Sequence, residues 1–140
     1  MRLSACITTR NRTKELDACL RALWNSNVKP YSVVVSDDSP GKEVQQQNYQ
    51  IVEQYPGTTY ITGPQAGVCA NRNNAVNAIP NSETDLVTFI DDDICVEPDF
   101  IARALERYNK MSLEDWRLRR ASLWGTKTTN CDRSLFSYFE

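Results

Sequence analysis

The most informative segment of this sequence reads Leu86-Val87-Thr88-Phe89-Ile90-Asp91-Asp92-Asp93. Its first five residues are apolar or β-branched, a composition typical of a buried β-strand. Three consecutive aspartates follow, with no lysine or arginine among them. Because neighbouring carboxylates repel one another unless a cation compensates, two structures are predicted at this strand end. One is a solvated acidic turn before the next helix, and the other is a carboxylate site for a hard divalent cation.

Strand-like and helix-like patterns alternate on both sides of this segment. Short apolar or β-branched runs predict strands at residues 3–7, 31–35, 58–61, 85–90 and 121–124. Helical periodicity fills the intervals: the first helix has Thr13 as its predicted N-cap, the second runs through Tyr55 to Pro56, and the third covers about residues 68–79. A fourth helix has Pro98 near its first turn. This order predicts one α/β domain with a largely parallel sheet and helices on both faces.

Polar side chains collect where the predicted strands end, which is where ligands bind in sheets of this kind. In addition, an arginine follows a glycine within the first turns of the third helix, where the helix terminus and the guanidinium group both attract anions. The aspartate pair after the second strand also suits an ordinary turn or helix cap. The candidate site residues are Thr8, Thr9, Arg10, Asn11, Asp37, Asp38, Gly67, Arg72, Asp91, Asp92 and Asp93.

The acidic segment offers two ways to hold a metal ion. If strand alternation continues, Asp91 and Asp93 point to the same side and bind the ion together. If the strand ends first, Asp92 and Asp93 share the ion within a turn. In either case Mg²⁺-type sites use one or two protein carboxylates and complete the coordination with substrate phosphates and water.

The composition narrows the chemistry further. The chain has 140 residues, a formal net charge of −2 and no histidine, which excludes histidine-dependent catalysis. This charge balance predicts no nucleic-acid partner. The five cysteines form no CxxC pair, and their number is odd. Several of them sit among apolar residues as buried thiols would, which predicts a reducing, cytoplasmic compartment. Neither the GxGxxG motif of dinucleotide-binding sites nor the GxxxxGK[ST] motif of P-loops occurs, so both of these interpretations are excluded. No apolar stretch approaches the ~20 residues of a membrane span.

Four segments, in order along the chain, resemble the motifs of family 2 glycosyltransferases with the GT-A fold. Residues 7–12 (Ile-Thr-Thr-Arg-Asn-Arg) resemble the family's opening Pro-Thr-Tyr-Asn segment, and residues 33–39 (Val-Val-Val-Ser-Asp-Asp-Ser) resemble its strand followed by Asp-Asp-Gly-Ser. Residues 65–73 (Gln-Ala-Gly-Val-Cys-Ala-Asn-Arg-Asn) resemble its Asn-x-Gly…Ala-Arg-Asn stretch. Residues 89–93, with Pro98 after them, resemble its Asp-x-Asp motif and the following proline. The resemblance implies a Rossmann-like GT-A domain over residues 1–140, whose donor-binding half covers about residues 1–110.

The resemblance also implies roles for individual residues. Thr9 and Asp37 would contact the base, and Arg72 would lie near the diphosphate. Asp91 to Asp93 would hold Mn²⁺ or Mg²⁺ and the donor ribose or sugar, with Asp91 and Asp93 as the metal ligands. The metal would act as a Lewis acid for the departing nucleoside diphosphate.

The implied partner is a nucleotide-diphospho-sugar, with a UDP-sugar favoured, and the implied reaction is sugar transfer to the hydroxyl of an unidentified acceptor. The family's Pro and Tyr are replaced by Thr8 and Arg10 in this chain, so the base site has no aromatic ring at that position.

The acceptor side of the reaction has no clear counterpart in this sequence. Inverting transfer needs a carboxylate base, which the family supplies well downstream of Asp-x-Asp. Glu114-Asp115 comes too early, and Asp132 and Glu140 lie close to the last residue, so no catalytic base is assigned. We therefore expect the acceptor half to be absent and the chain to be weak or inactive alone.

One alternative is a non-catalytic module that keeps the fold to bind a nucleotide-sugar or a partner. In that case an oligomer or a partner chain would cover the truncated sheet edge. A receiver-like or phosphatase-like domain fits poorly, because such folds place a key aspartate after the first strand, where this chain has residues 8–11 (Thr-Thr-Arg-Asn).

Overall fold

The structure is a computed structural model that describes residues 1–79 and 84–110. Strands and helices alternate along these residues. The strands are β1 (Leu3–Thr9), β2 (Ser32–Asp37), β3 (Thr58–Thr62) and β4 (Leu86–Asp91). The helices are α1 (Thr13–Trp24), α2 (Lys42–Val52), α3 (Val68–Asn77) and α4 (Phe100–Lys110).

The strands form one sheet in the order β3-β2-β1-β4, and every pairing is parallel. The chain places β2 and β3 on one side of β1 and then crosses back to place β4 on the other side. Thr9 is in register with Asp37 of β2, and Thr8 is in register with Asp91 of β4. The two acidic strand ends therefore flank β1 at a topological switch point, where open α/β sheets bind ligands.

The larger core layer lies between the sheet and helices α1, α2 and α4. Strand alternation directs Ile7 of β1 and Val35 of β2 into this layer, where both are fully buried. The apolar stripe predicted for α1 is buried against them. Burying each such side chain contributes about 1.5–3 kcal/mol, so this layer supplies most of the hydrophobic stabilisation in the described residues.

The opposite face of the sheet is covered by α3. Ala75 and Ile79 pack there against Cys6 and Val34, in a smaller buried cluster. The prediction of a largely parallel α/β sheet with helices on both faces is confirmed. Among the described residues, no helix combines the length and apolar character needed to cross a bilayer.

Several of the sequence-predicted boundaries differ from the structure. β1 and β2 continue to Thr9 and Asp37, because their parallel ladder keeps them in register beyond the apolar residues. Thr13 is the first residue of α1 rather than its N-cap; Arg12 occupies the cap position, without a side-chain cap hydrogen bond. The second helix ends at Val52, so Tyr55 lies beyond it. The strand predicted at residues 121–124 falls outside the described residues.

Among residues 1–79 and 84–110, three cysteines are free thiols, and their environments differ. Cys6 and Cys19 are buried as predicted, and burial raises the pKa of both thiols to about 12. Thiols held in this protonated form are poor nucleophiles. Cys95 is exposed, because it follows the turn at the end of β4.

Candidate functional site

A cavity of about 430 Å³ opens at the carboxyl ends of β1, β2 and β4. We call it the strand-end cavity. Its lining residues are Thr8, Thr9, Arg10, Arg12, Asp38, Gly67, Val68, Asn71, Asp91, Asp92 and Asp93. A larger cavity of about 600 Å³ runs along α4, but its lining contains none of the strand-end residues. The strand-end cavity is therefore the candidate site.

The three consecutive aspartates are neutralised by arginines from other elements. Arg12 Nη1 lies 3.2 Å from Asp92 Oδ1 and 2.8 Å from Asp93 Oδ2. On the other side of the turn, Arg72 Nη2 of α3 lies 2.8 Å from Asp91 Oδ1. The acidic segment itself contains no lysine or arginine. The two guanidinium groups that neutralise it come from residues that are distant in sequence.

Asp92 is the buried member of this group. Burial raises the pKa of its carboxyl group, while a hydrogen bond from Thr9 and the charge of Arg12 act in the opposite direction. The Thr9 hydroxyl donates to Asp92 Oδ2 at 2.7 Å. The ionised form of Asp92 is thus costly for the protein, and a further cation beside it would relieve that cost.

Strand alternation does not continue through the acidic segment. β4 ends at Asp91, and Asp92 and Asp93 lie in the turn that follows. Of the two backbone arrangements considered from the sequence, the structure has the one in which Asp92 and Asp93 lie in a turn. The cationic group that both carboxylates contact there is the guanidinium group of Arg12. Within residues 1–79 and 84–110, no three acidic or cysteine side chains already surround a single point as a complete metal site would require.

Asp37 lies in the protein interior rather than at the cavity. Its side chain is fully buried, Oδ1 accepts the backbone N–H of Ser39 at 2.8 Å, and Oδ2 accepts Asn48 Nδ2 and Tyr60 OH, each at 2.8 Å. Burial and the hydrogen bond to Asp37 together raise the pKa of Tyr60. Both oxygens of Asp37 thus accept hydrogen bonds from protein donors, and Asp37 is not among the residues that line the cavity.

Asp38 is the carboxylate of this pair that lines the cavity. Its Oδ1 accepts the backbone N–H of Gln65 at 2.8 Å, which fixes the loop between β3 and α3 beside β2. Gly63 makes this approach possible: a Cβ at that position would lie 2.2 Å from Asp38 Oδ1 and 2.6 Å from Asn71 Oδ1. Gly63 was not among the candidate site residues. The Gly-Pro pair at positions 63–64 is nevertheless a turn signal in the sequence.

The start of α3 faces the same cavity. Gly67 stands at its N-cap with φ of 93°, a left-handed conformation that suits glycine, and no side chain caps the helix. Asn71 is buried in the next turn and anchors the helix to β2, with Nδ2 donating to Ser36 O at 3.1 Å and Oδ1 accepting from Ser36 Oγ at 2.6 Å. The start of α3 therefore lies at the cavity, with Gly67 and Val68 in the lining, and the positive end of the helix dipole favours an anion there.

Most of the sequence-predicted residues meet at this cavity. Asn11, Asp37 and Arg72 are the three that do not line it. Asn11 has φ of 56°, and its backbone N–H donates to Ser39 Oγ at 2.9 Å, which holds the loop after β1. The Arg72 side chain contacts the lining residue Asp91, to which it donates a hydrogen bond. Three lining residues were not among the candidates: Arg12, Val68 and Asn71. Each lies within a segment that resembles a family motif, and that position was the available signal.

This geometry agrees with the comparison to known protein families. The family model described as glycosyl transferase family 2 matches residues 4–114. The chain belongs to glycosyltransferase family 2. No curated protein matches the sequence significantly.

Solved structures share the fold of this family 2 domain. The segment 1–349 of S. aureus TarS has a TM-score of 0.61 and 21% identity, over 76% of this chain and 32% of that one. The mannosyltransferase PcManGT from Pyrobaculum calidifontis, in complex with GDP-Man and Mn²⁺, has a TM-score of 0.64 and 19% identity, over 74% of this chain and 31% of that one. TarS 1–349 in complex with UDP-GlcNAc has a TM-score of 0.61 and 24% identity, over 76% and 30%. The chain spans about a third of the length of these proteins.

Proposed function

We propose that the strand-end cavity binds a nucleotide-diphospho-sugar together with Mn²⁺ or Mg²⁺, as the donor for sugar transfer to an acceptor hydroxyl. The observation that carries the proposal is the meeting of three features at one switch point. These are the acidic turn at residues 91–93, the arginines Arg12 and Arg72, and the uncapped start of α3. A donor of this kind carries a divalent cation and a diphosphate, whose charges match these groups.

The ligands bound in the similar structures support this choice. PcManGT is complexed with GDP-Man and Mn²⁺, and TarS 1–349 is complexed with UDP-GlcNAc. Both have the fold of this chain, and both ligands are nucleotide-diphospho-sugars. We favour a UDP-sugar for this chain on the motif resemblance described above.

The proposed roles follow from what each side chain contacts. Asp38, which lines the cavity, takes the base contact that the sequence suggested for Asp37. Thr9 positions Asp92 through its hydrogen bond. Arg72 and the first turn of α3 bind the diphosphate. The Arg72 guanidinium group lies beside Asp91 and pairs well with phosphate oxygens, and the start of a helix attracts anions.

The acidic turn fits a divalent cation by the chemistry of its donors. Carboxylate oxygens are hard ligands that suit Mn²⁺ and Mg²⁺, and one oxygen each of Asp92 and Asp93 already contacts the same nitrogen of Arg12. The protein ligands would therefore come from Asp91, Asp92 and Asp93. When bound, the ion supplies Lewis-acid stabilisation of the departing diphosphate.

The roles assigned above concern the donor, and no described residue is assigned to the acceptor. In the described parts of the chain we assign no carboxylate as the base that would deprotonate an acceptor hydroxyl. Donor binding is therefore the part of the reaction that these residues perform: they hold the nucleotide, the diphosphate and the cation at the strand ends.

Thermal unfolding with added nucleotides tests this proposal. We expect UDP, with GDP and the other nucleoside diphosphates for comparison, to raise the melting temperature in the presence of Mn²⁺ and much less in EDTA. Saturation at about 100 times Kd adds about 2.7 kcal/mol, which corresponds to a rise of several degrees for a domain of this size. The absence of a metal-dependent shift with every nucleotide would contradict the proposal.

A further inference from the structure

Arg12 occupies an unusual position for a surface arginine. One nitrogen, Nη1, lies 3.2 Å from Asp92 Oδ1 and 2.8 Å from Asp93 Oδ2. The two carboxylates belong to consecutive residues, and their mutual repulsion is relieved by this single cationic group. The guanidinium thus stands where a cation shared by Asp92 and Asp93 would stand.

The same contact leaves this part of the acidic turn unavailable to another cation. Asp92 Oδ2 accepts the Thr9 hydroxyl and Asp92 Oδ1 accepts Arg12, so both oxygens of the buried carboxylate have protein donors. Asp91 is held separately by Arg72. A divalent ion that uses Asp92 and Asp93 must therefore replace Arg12, and it cannot bind beside it without strong repulsion.

Arg12 can leave this position when another cation takes its place. The side chains of Arg12 and Asp93 are each 51% exposed, so the ion pair between them is weak. The Asp92 side chain is only 7% exposed, so the incoming cation must offset the cost of its buried charge. Arg12 stands at the N-cap of α1 but makes no side-chain cap hydrogen bond, so its departure does not uncap the helix. Its carbonyl oxygen accepts the backbone N–H of Leu16 at 2.9 Å, so the backbone of Arg12 is held by α1 while half of its side chain is exposed.

We propose that Arg12 is a resident counter-cation that holds Asp92 and Asp93 until the metal and the nucleotide arrive together. This inference rests on the proposed function, because it concerns the same carboxylates. With Arg12 in place, the acidic turn binds a divalent cation weakly when no nucleotide is present. The diphosphate then accepts the released guanidinium, since arginine pairs closely with phosphate oxygens. Arg12 thereby couples the binding of the metal to the binding of the donor.

Titration with Mn²⁺ alone tests the inference, using free Mn²⁺ measured by electron paramagnetic resonance on the full chain. In the absence of nucleotide, Arg12→Gln should bind Mn²⁺ about tenfold more tightly than the unmodified chain, because a positive charge beside the ligands has been removed. Arg12→Lys keeps the charge and should leave the affinity close to that of the unmodified chain. Melting temperatures in EDTA establish that both variants are folded.

Arg21→Gln is the matched control for net charge. Arg21 also lies on α1, is exposed, and pairs with Asp17 instead of the acidic turn. Its replacement should leave Mn²⁺ binding unchanged within about twofold, because its charge is paired elsewhere and screened by solvent.

The outcomes separate this inference from the proposed function. Equal Mn²⁺ affinities for Arg12→Gln and the unmodified chain, including no detectable binding by either, overturn the role of Arg12. An equal gain in Arg21→Gln or in Arg12→Lys also overturns it. The proposed function is judged separately, by whether nucleotides stabilise the unmodified chain in a metal-dependent way. If nucleotides do not stabilise the unmodified chain, the Mn²⁺ affinities of the variants can still be compared.

Discussion

At the scale of single residues, the acidic turn shows how this protein keeps a charge that its fold disfavours. Asp92 is buried, and burial raises the pKa of its carboxyl group. The hydrogen bond from Thr9 and the charge of Arg12 offset that cost only in part. Residues held against their solvation preference in this way are typical of functional sites. We therefore expect that removal of the Asp92 charge stabilises the metal-free protein and weakens ligand binding.

Replacing Asp92 by asparagine should stabilise the metal-free protein at pH 7 by about 0.5–2 kcal/mol, the range common for stabilising substitutions at functional sites. Because the pKa of Asp92 is raised in the folded state, its contribution to stability is present below the pKa of the unfolded chain. That contribution is lost as the pH rises through the folded pKa. The gain from Asp92→Asn should therefore be largest at neutral pH and shrink toward pH 4. Urea denaturation in EDTA at several pH values measures it.

Asp93→Asn is the control for this substitution, since the Asp93 side chain is about half exposed and pairs with the same arginine. It should change the free energy of unfolding by less than about 0.5 kcal/mol. Asp92→Asn should also lose metal-dependent nucleotide binding by at least about tenfold, because a neutral amide is a weaker ligand for a hard cation. An Asp92→Asn variant less stable than the unmodified chain at pH 7 would contradict this interpretation.

At the scale of secondary-structure elements, the loop between β3 and α3 is held against the end of β2 by close contact at Gly63. Asp38 Oδ1 and Asn71 Oδ1 both lie where a side chain at position 63 would begin. These two oxygens also make the contacts that fix Gln65 and Ser36. A side chain at Gly63 would therefore move the cavity wall and the start of α3 together.

Gly63→Ala should cost about 1–3 kcal/mol, as overpacking in a well-packed site does, and should weaken nucleotide binding. The matched control is Gly41→Ala, because a Cβ at Gly41 meets no atom within 4 Å. That control should cost less than about 1 kcal/mol, the effect of an alanine at a helix N-cap. Chemical denaturation of both variants, with the nucleotide titration repeated, checks the prediction. Equal effects of the two substitutions would show that close approach at Gly63 is unimportant.

At the scale of the whole molecule, the sheet joins two core layers of unequal size. Ile7 lies at the centre of the larger layer and is fully buried, on the same strand whose end carries Thr8 and Thr9 to the cavity. The strand that supports the core therefore also positions the site. Loss of packing around β1 should affect both.

Ile7→Ala should lower the free energy of unfolding by about 2–5 kcal/mol, from lost burial and the cavity left behind. Such a loss is a large fraction of the stability of an ordinary domain, so the melting temperature should fall markedly. Ile94→Ala, at a side chain that is 48% exposed, should have little effect. A small loss for Ile7→Ala would mean that the larger layer does not dominate stability.

Sequence reasoning reached the fold because each element carries a local signal. The stripe on α1, the apolar runs of the strands and the acidic segment after Ile90 are periodic or compositional features that need no knowledge of neighbours. It reached most of the cavity for a related reason: parallel strands bring their carboxyl ends to one edge. Boundaries were less well predicted, since the ladder between β1 and β2 continues beyond the apolar residues to Thr9 and Asp37.

The sequence by itself determined that this chain is a parallel α/β domain with an acidic strand end, because periodicity and turn chemistry are properties of short segments. Only the tertiary structure decided that Asp38, and not Asp37, lines the cavity. The side chains that donate hydrogen bonds to the buried Asp37 are Asn48 of α2 and Tyr60 of β3. The tertiary structure also decided that the acidic turn is neutralised by Arg12, which is 80 positions from Asp92. Contacts between residues so far apart in sequence depend on strand order and register, and no local pattern encodes them.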